Sequence, residues 1–300
     1  MNLSHVAGAP ISWGVCEVPG WGWQMSPERV LAEMAEVGFE AMELGPDGFL
    51  PDDGAEAAEL LGRYSLRGIG AFLPIVLHRP GELADQGASD AIARLRAVGA
   101  EVLVLAASTG EEGYDRRPTL DREGWEILLK NLDLLSLRAA DAGITAVLHP
   151  HVGTMIEAPP EVERIVEASS IPLCLDTGHL MIGGNDPVDL AGVLGGRVGH
   201  VHLKDVDSHL AGRVRAGEVS YSDAVSMGLY RPLGAGDADV SGLVGRLNAG
   251  GYEGWYVLEQ DTVVKAEPEA GAGPVVDVRA SLEFLRGIGD GDGALEARGR

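Results

Sequence analysis

Short apolar runs rich in Val, Ile and Leu alternate along this chain with longer stretches whose apolar positions recur at helical spacing. The runs predict strands at residues 8–13, 39–44, 68–74, 102–106, 144–149, 171–176, 199–204 and 255–260. The periodic stretches predict helices at 27–37, 55–64, 88–98, 122–141, 160–168, 187–194, 240–249 and 276–286. Start signals such as Ser26-Pro27 and Asp186-Pro187 open several of the helices. Gly38, Gly99, Gly143 and Gly251 stand where helices should stop. Regular strand–helix alternation over this length predicts an α/β fold, a (β/α)8 TIM barrel. The rival is a doubly wound open sheet, which would carry a glycine-rich turn after its first strand. Here that strand runs into Ser12-Trp13-Gly14, with no GxGxxG.

One barrel domain is expected over residues 1–287, followed by a frayed Gly/Asp-rich tail at 288–300. The connection 205–239 is long for a compact domain, and is expected to hold short helices near 211–215 and 222–227. In a barrel it lies on the face where βα loops build an active site.

Composition narrows the partners. The 300 residues carry 46 Asp+Glu against 23 Lys+Arg, a formal charge of −23. That balance excludes a phosphate-tracking nucleic-acid binder and disfavours an anionic membrane surface. Cys16 and Cys174 are the only cysteines, so there is no disulfide framework and no CxxC pair. No run of eighteen apolar residues predicts a membrane span, and the first residues lack a signal-peptide pattern, so a cytoplasmic protein is expected. Lysine is scarce: Lys130, Lys204 and Lys265 are the whole set, which makes a lysine inside a motif more informative.

Lys204 is inside one. Polar residues gather at the C-terminal ends of successive predicted strands: His149-Pro150-His151, Asp176-Thr177-Gly178-His179, His200-Val201-His202-Leu203-Lys204-Asp205 and Glu259-Gln260-Asp261. Alternation along a strand puts His200, His202 and Lys204 on one face. Any one such end has a bland alternative, since a lone histidine is usually structural and an Asp after a strand is commonly a cap. Four on adjacent strands converge as two imidazoles and two carboxylates. That mixed donor set suits a divalent Mn, Co, Zn or Fe over a purely oxygen-liking Ca or Mg.

These strand ends resemble the xylose-isomerase-like superfamily of sugar isomerases, epimerases and lyases. So do Ala9-Pro10-Ile11-Ser12-Trp13-Gly14, Met42-Glu43-Leu44-Gly45, His149-Pro150-His151-Val152-Gly153-Thr154 and the segment from Gly254 to Asp261. Within that superfamily the pattern is most similar to the inosose dehydratase family. The resemblance implies a metal-dependent hydro-lyase acting on a keto-inositol, a small polyhydroxy ketone, with a keto-sugar isomerase or epimerase as the alternative. A multi-zinc endonuclease, for which His78 and His209 are the spare histidines, and a non-catalytic sugar-binding barrel rank lower. It also implies a homo-oligomer.

By the same resemblance Asp176, His202 and Glu259 match metal-ligand positions. The remaining position, glutamate in the keto-sugar epimerases, is here histidine: His149 is favoured as ligand, with His151 kept for substrate or proton transfer. Losing that carboxylate removes a matched pair of proton-moving groups and fits a lyase better than a 3-epimerase. His179 is a further substrate-binding or proton-transfer candidate. Glu43 is expected to bind hydroxyls or act as a base. Lys204 is expected either beside a developing oxyanion or in a surface ion pair with Asp205 or Asp207. Trp13 is the favoured substrate-stacking indole, Trp21 and Trp23 are expected either to stack on substrate or to pack as a lid, and Arg231 is a weaker binder of substrate oxygens. The segment Gly234-Ala235-Gly236-Asp237-Ala238-Asp239 reads as a turn with Asp239 as an N-cap rather than a phosphate loop.

Overall fold

The apolar runs pair in parallel around a closed barrel in the computed structural model, which describes residues 5–81 and 87–297, with 289–297 as backbone alone. The strands in chain order are β1 (Val6–Gly8), β2 (Ala41–Glu43), β3 (Arg67–Val76), β4 (Val102–Ser108), β5 (Thr145–Leu148), β6 (Leu173–Asp176), β7 (Val198–Leu203), β8 (Asp205–Val206), β9 (Tyr230–Arg231) and β10 (Tyr256–Leu258). β8 and β9 form a separate antiparallel pair. The others close the barrel in the order β1-β10-β7-β6-β5-β4-β3-β2.

The helices are α1 (Pro27–Val37), α2 (Gly54–Arg63), α3 (Ala88–Val98), α4 (Arg122–Asp141), α5 (Pro159–Ala168), α6 (Thr177–Gly183), α7 (Pro187–Leu194), α8 (Ser208–Arg215), α9 (Tyr221–Ser226), α10 (Val240–Ala249) and α11 (Pro274–Ala297). Ser26 and Asp186 cap α1 and α7 as their sequence signals require, each followed by proline at the first helical position. Among the described residues no helix is long and apolar enough to cross a membrane.

Strand alternation sorts the side chains into two layers. Leu103, Leu105, Leu148, Leu173, Leu175, Val201 and Leu203 belong to the main core, which they share with α4 residues Leu128, Leu132 and Leu135. The residues of opposite parity form small clusters inside the barrel: Ala7, Ala41, Ile69 and Val257 in one, Val102, Val104, Val147 and Cys174 in the other. Stepping two residues up the strands from this floor gives Glu43, His149, Asp176, His202 and Glu259. The inward row therefore changes from apolar to polar at the C-terminal mouth.

The structure differs from the sequence reading in three places. β1 stops at Gly8, and Pro10–Trp13 is a 3-10 helix, because Pro10 has no N–H for a strand ladder and Gly14 ends the turn in the left-handed region. A helix absent from the sequence reading, α6, starts directly on the Asp176 cap. The backbone of α11 is helical as far as Ala297, beyond the expected helix end at 286, and residues 298–300 lie outside the described residues. The connection between β7 and α10 holds α8 and α9, as expected, and also the β8–β9 hairpin.

Candidate active site

At the barrel mouth, imidazole tautomers are fixed by the backbone and by Glu43. His149 Nδ1 donates to Pro150 O at 2.8 Å, which leaves the lone pair of Nε2 pointing at Asp176 Oδ2, 3.5 Å away. His202 Nε2 donates to Glu43 Oε1 at 2.9 Å, so Nδ1 faces Asp176 Oδ2 at 3.6 Å and Glu259 Oε2 at 3.3 Å. Asp176 Oδ2 and His202 Nδ1 are buried and make no hydrogen bond among the described residues.

Asp176, His202 and Glu259 thus bring three ligand atoms within 4.8 Å of one another, with His149 Nε2 beside Asp176. Against burial, Cys174, Glu259 and Glu43 hold the His202 pKa well above the usual imidazole range. Ligand atoms about 2.1 Å from one tetrahedral ion lie about 3.4 Å apart, which these separations match. A divalent cation fits this position: its charge would balance the two carboxylates and replace the proton on His202 Nδ1, and it would give Asp176 Oδ2 the partner it lacks among the described residues. Of the two strand-five histidines, His149 faces Asp176. His151 Nδ1 donates instead to Val152 O at 2.7 Å, and its ring stacks on His179 with centroids 3.6 Å apart.

Electrostatics follow from burial and these neighbours. Burial holds His149 below the ordinary imidazole range, against the pull of Asp176. Burial, reinforced by the neighbouring His149 and Lys204, keeps His151 well below it, so His151 is neutral. Burial would raise Asp176, but Lys204, His179 and two imidazole contacts hold it well below the usual carboxylate range. Burial opposes charge on Glu43 too, yet His202 and His200 keep it ionised. Burial lifts Glu259 despite His202 and Lys204.

Lys204 is not in a surface pair. It is 3% exposed, and its Nζ lies 2.6 Å from Asp261 Oδ1, 3.1 Å from Glu259 Oε2 and 3.1 Å from His179 Nε2. Burial alone would strip its charge, but Asp261, Glu259 and Asp176 hold its pKa well above the usual value. The expected alternative partners are committed elsewhere. Asp205 accepts the N–H groups of Gly234, Gly236 and Ala238, which makes the glycine-rich segment a cradle for that carboxylate rather than for phosphate. Asp207 caps α8 and pairs with Arg231. Gly178 lets the first turn of α6 sit against Lys204: a Cβ there would fall 2.8 Å from the lysine Cβ.

Two expected substrate contacts are corrected. Trp13 is fully buried beside α1, with Nε1 donating to Glu33 Oε2 at 2.8 Å, because the strand ends before it and the 3-10 turn carries the indole away from the mouth. Arg231 is exposed and held by Asp207. The aromatic wall comes instead from Trp21, Phe72 and Tyr114, around a cavity of about 350 Å3 floored by Glu43, His149, His151, His202, Lys204 and Glu259. Glu43 reaches this floor with its Oε1 already shared between His200 Nε2 at 2.8 Å and His202 Nε2. Asp261, Tyr221 and Tyr230 also belong to the site and were missed as site residues. Asp261 follows the Glu259 motif, whereas the tyrosines lie in the long connection, where no periodicity marks them.

A family model described as xylose isomerase-like TIM barrel matches residues 31–288. The chain belongs to the xylose isomerase-like TIM barrel family. Among characterised members, inosose dehydratase of Geobacillus thermodenitrificans (strain NG80-2) is 32% identical over 87% of this chain and 90% of its own length. The rhizopine catabolism protein MocC of Rhizobium meliloti is 31% identical, over 85% and 81%. The solved IOLI protein with a bound zinc atom superposes with a TM-score of 0.69 at 13% identity, over 95% of this chain and 97% of its own, a likeness of fold. For a TIM barrel enzyme of this family, a site built on the C-terminal ends of strands is the expected place for chemistry.

Proposed function

We propose that the protein is a metal-dependent hydro-lyase that removes water from a keto-inositol such as 2-keto-myo-inositol, in inositol catabolism. The inosose dehydratase at 32% identity supports that substrate class. The observation that carries the reaction type is the unlike pair beside the metal position: a neutral His151 and a cationic Lys204 on one cavity floor. Elimination needs one base and one acid, whereas epimerisation needs two matched proton carriers.

His149 Nε2, Asp176 Oδ2, His202 Nδ1 and Glu259 Oε2 would hold the ion, with Mn2+ or Co2+ the favoured species. Bound there, a divalent ion supplies Lewis acidity to the substrate's ketone oxygen. His151, whose Nε2 carries the lone pair, takes the proton α to the ketone. The C–H electron pair becomes the enolate, then forms the new C=C bond as the β C–O bond breaks. Lys204 gives its proton to the departing oxygen, which leaves as water. Glu43 keeps a proton on His202 Nε2, which leaves Nδ1 for the ion, and is a positioning residue. Trp21, Phe72 and Tyr114 cover the C–H faces of the ring. The −23 charge and the cavity of about 350 Å3 support a small neutral substrate over a polyanion.

The test is a substrate comparison. Metal-loaded protein with 2-keto-myo-inositol should generate the ultraviolet-absorbing conjugated product, and ketohexoses should epimerise far more slowly. Efficient ketohexose epimerisation without water loss from the inositol ketone would overturn this reading in favour of the epimerase.

A further inference from the structure

Lys204 is part of a closed hydrogen-bond ring that reaches out of the barrel. Its Nζ donates to His179 Nε2 at 3.1 Å and to Asp261 Oδ1 at 2.6 Å. Tyr221 OH donates to the other oxygen of the same carboxylate, Asp261 Oδ2, at 2.7 Å. Tyr221 OH lies 2.9 Å from Tyr230 OH, and Tyr230 OH lies 3.5 Å from His179 Nδ1. All the members are buried.

Donor and acceptor chemistry gives the ring one direction. An ammonium can only donate and an ionised carboxylate can only accept. His179 must therefore accept at Nε2 and carry its proton on Nδ1, from which it donates to Tyr230. Tyr230 donates to Tyr221, and Tyr221 to Asp261. Burial next to Asp261 keeps both phenols protonated, as this order requires. Both paths start at the lysine and end at the aspartate.

The members come from different parts of the chain. Lys204 follows β7, His179 lies on α6, and Asp261 follows β10. Tyr221 on α9 and Tyr230 on β9 are supplied by the long connection after β7. Without that connection Lys204 would keep its charge partners but lose the framework that fixes Asp261 and His179 around it.

We propose that Tyr221, Tyr230 and Asp261 are positioning residues that aim Lys204 at the departing hydroxyl, so that the 205–239 connection completes the acid of the reaction. This rests on the dehydratase reading above. In that step the β C–O bond breaks with its electron pair, the oxygen takes the Lys204 proton and water leaves. Removal of the α-proton by His151 precedes it and needs none of the ring hydroxyls.

The two half-steps can be separated in deuterium oxide by nuclear magnetic resonance, which reads α-proton exchange into the inositol ketone and loss of water independently. In Tyr221→Phe and Tyr230→Phe, elimination should fall about tenfold to a hundredfold, the range for losing a hydrogen bond to or through a charged group. KM should stay within about twofold of wild type, because ground-state binding is retained. The ratio of exchange to elimination should rise. A merely structural defect would lower both rates together, and that parallel fall, or unchanged elimination, would overturn the ring's role. Tyr230→Phe leaves no carboxylate unpaired and serves as the test if Asp261→Asn or Tyr221→Phe does not fold. Wild-type protein that exchanges the α-proton but releases no water would overturn the dehydratase reading itself, and the ring's role with it. Elimination by wild type with unaffected variants overturns the ring alone.

Discussion

Glu43 Oε1 and His202 Nε2 meet at 2.9 Å inside the barrel, and this contact decides which nitrogen of His202 faces Asp176 and Glu259. Partners of this kind fix the tautomer and orientation of a ligating imidazole. Glu43→Gln should therefore weaken divalent-metal affinity by about tenfold to a hundredfold, measured by competition with a chromogenic chelator. An unchanged affinity would show that His202 is oriented by other groups.

The two indoles should respond oppositely. Trp13 bonds to the buried Glu33 and lies away from the cavity, so Trp13→Phe should cost about 1–3 kcal/mol of stability and leave KM unchanged. Trp21 lines the cavity, so Trp21→Ala should raise KM. Thermal melts and steady-state kinetics on both variants check this. A KM increase in Trp13→Phe would put that indole back at the substrate.

These tryptophans also show how far the sequence could be read. Strand and helix positions were legible because short β-branched runs alternate with capped periodic segments. The inward row at the mouth followed from strand parity once the barrel was assumed, which is why His149, Asp176, His202 and Glu259 come together. The exit of strand one was misread because 9–13 is as apolar as a strand, and only Pro10 hints that the ladder cannot continue. Partners across the mouth were the least legible. Lys204 pairs with Asp261, fifty-seven positions away, and not with its neighbours Asp205 and Asp207, because Asp205 is enclosed by backbone N–H groups of a loop. Tyr221 and Tyr230 have no periodic signal, since their burial depends on how the connection folds over the barrel.

Asp205 should matter to stability through that loop. It accepts from Val206, Gly234, Gly236 and Ala238, so Asp205→Ala leaves four N–H groups without their acceptor. The expected loss is about 3 kcal/mol or more. Hydrogen exchange should show faster opening across 205–239, and turnover should fall because Tyr221 and Tyr230 lie in this stretch. Unaltered exchange there would mean that water replaces the carboxylate.

The cysteines should be poor nucleophiles near neutral pH. Burial, with Glu17 adding to it, pushes the Cys16 thiol up to about 12, and burial pushes Cys174 up to about 11. The thiolate is the reactive form, so at pH 8 about one Cys16 in ten thousand would be ionised. Alkylation of Cys16 should be slow at pH 8 and accelerate about tenfold per pH unit until the thiol titrates. Because the Glu17 charge raises this pKa, Glu17→Gln should lower it and speed the reaction. Rapid labelling of wild type at pH 8, followed by mass spectrometry, would contradict this environment.

The most direct test couples metal content to water elimination in the same sample. Purified protein should carry one divalent ion per chain by elemental mass spectrometry. Its conversion of 2-keto-myo-inositol to the conjugated product should stop on chelation and return with Mn2+ or Co2+, and Asp176→Ala and His202→Ala should lose both ion and turnover. Full elimination by protein stripped of metal, or by either variant, would contradict the account.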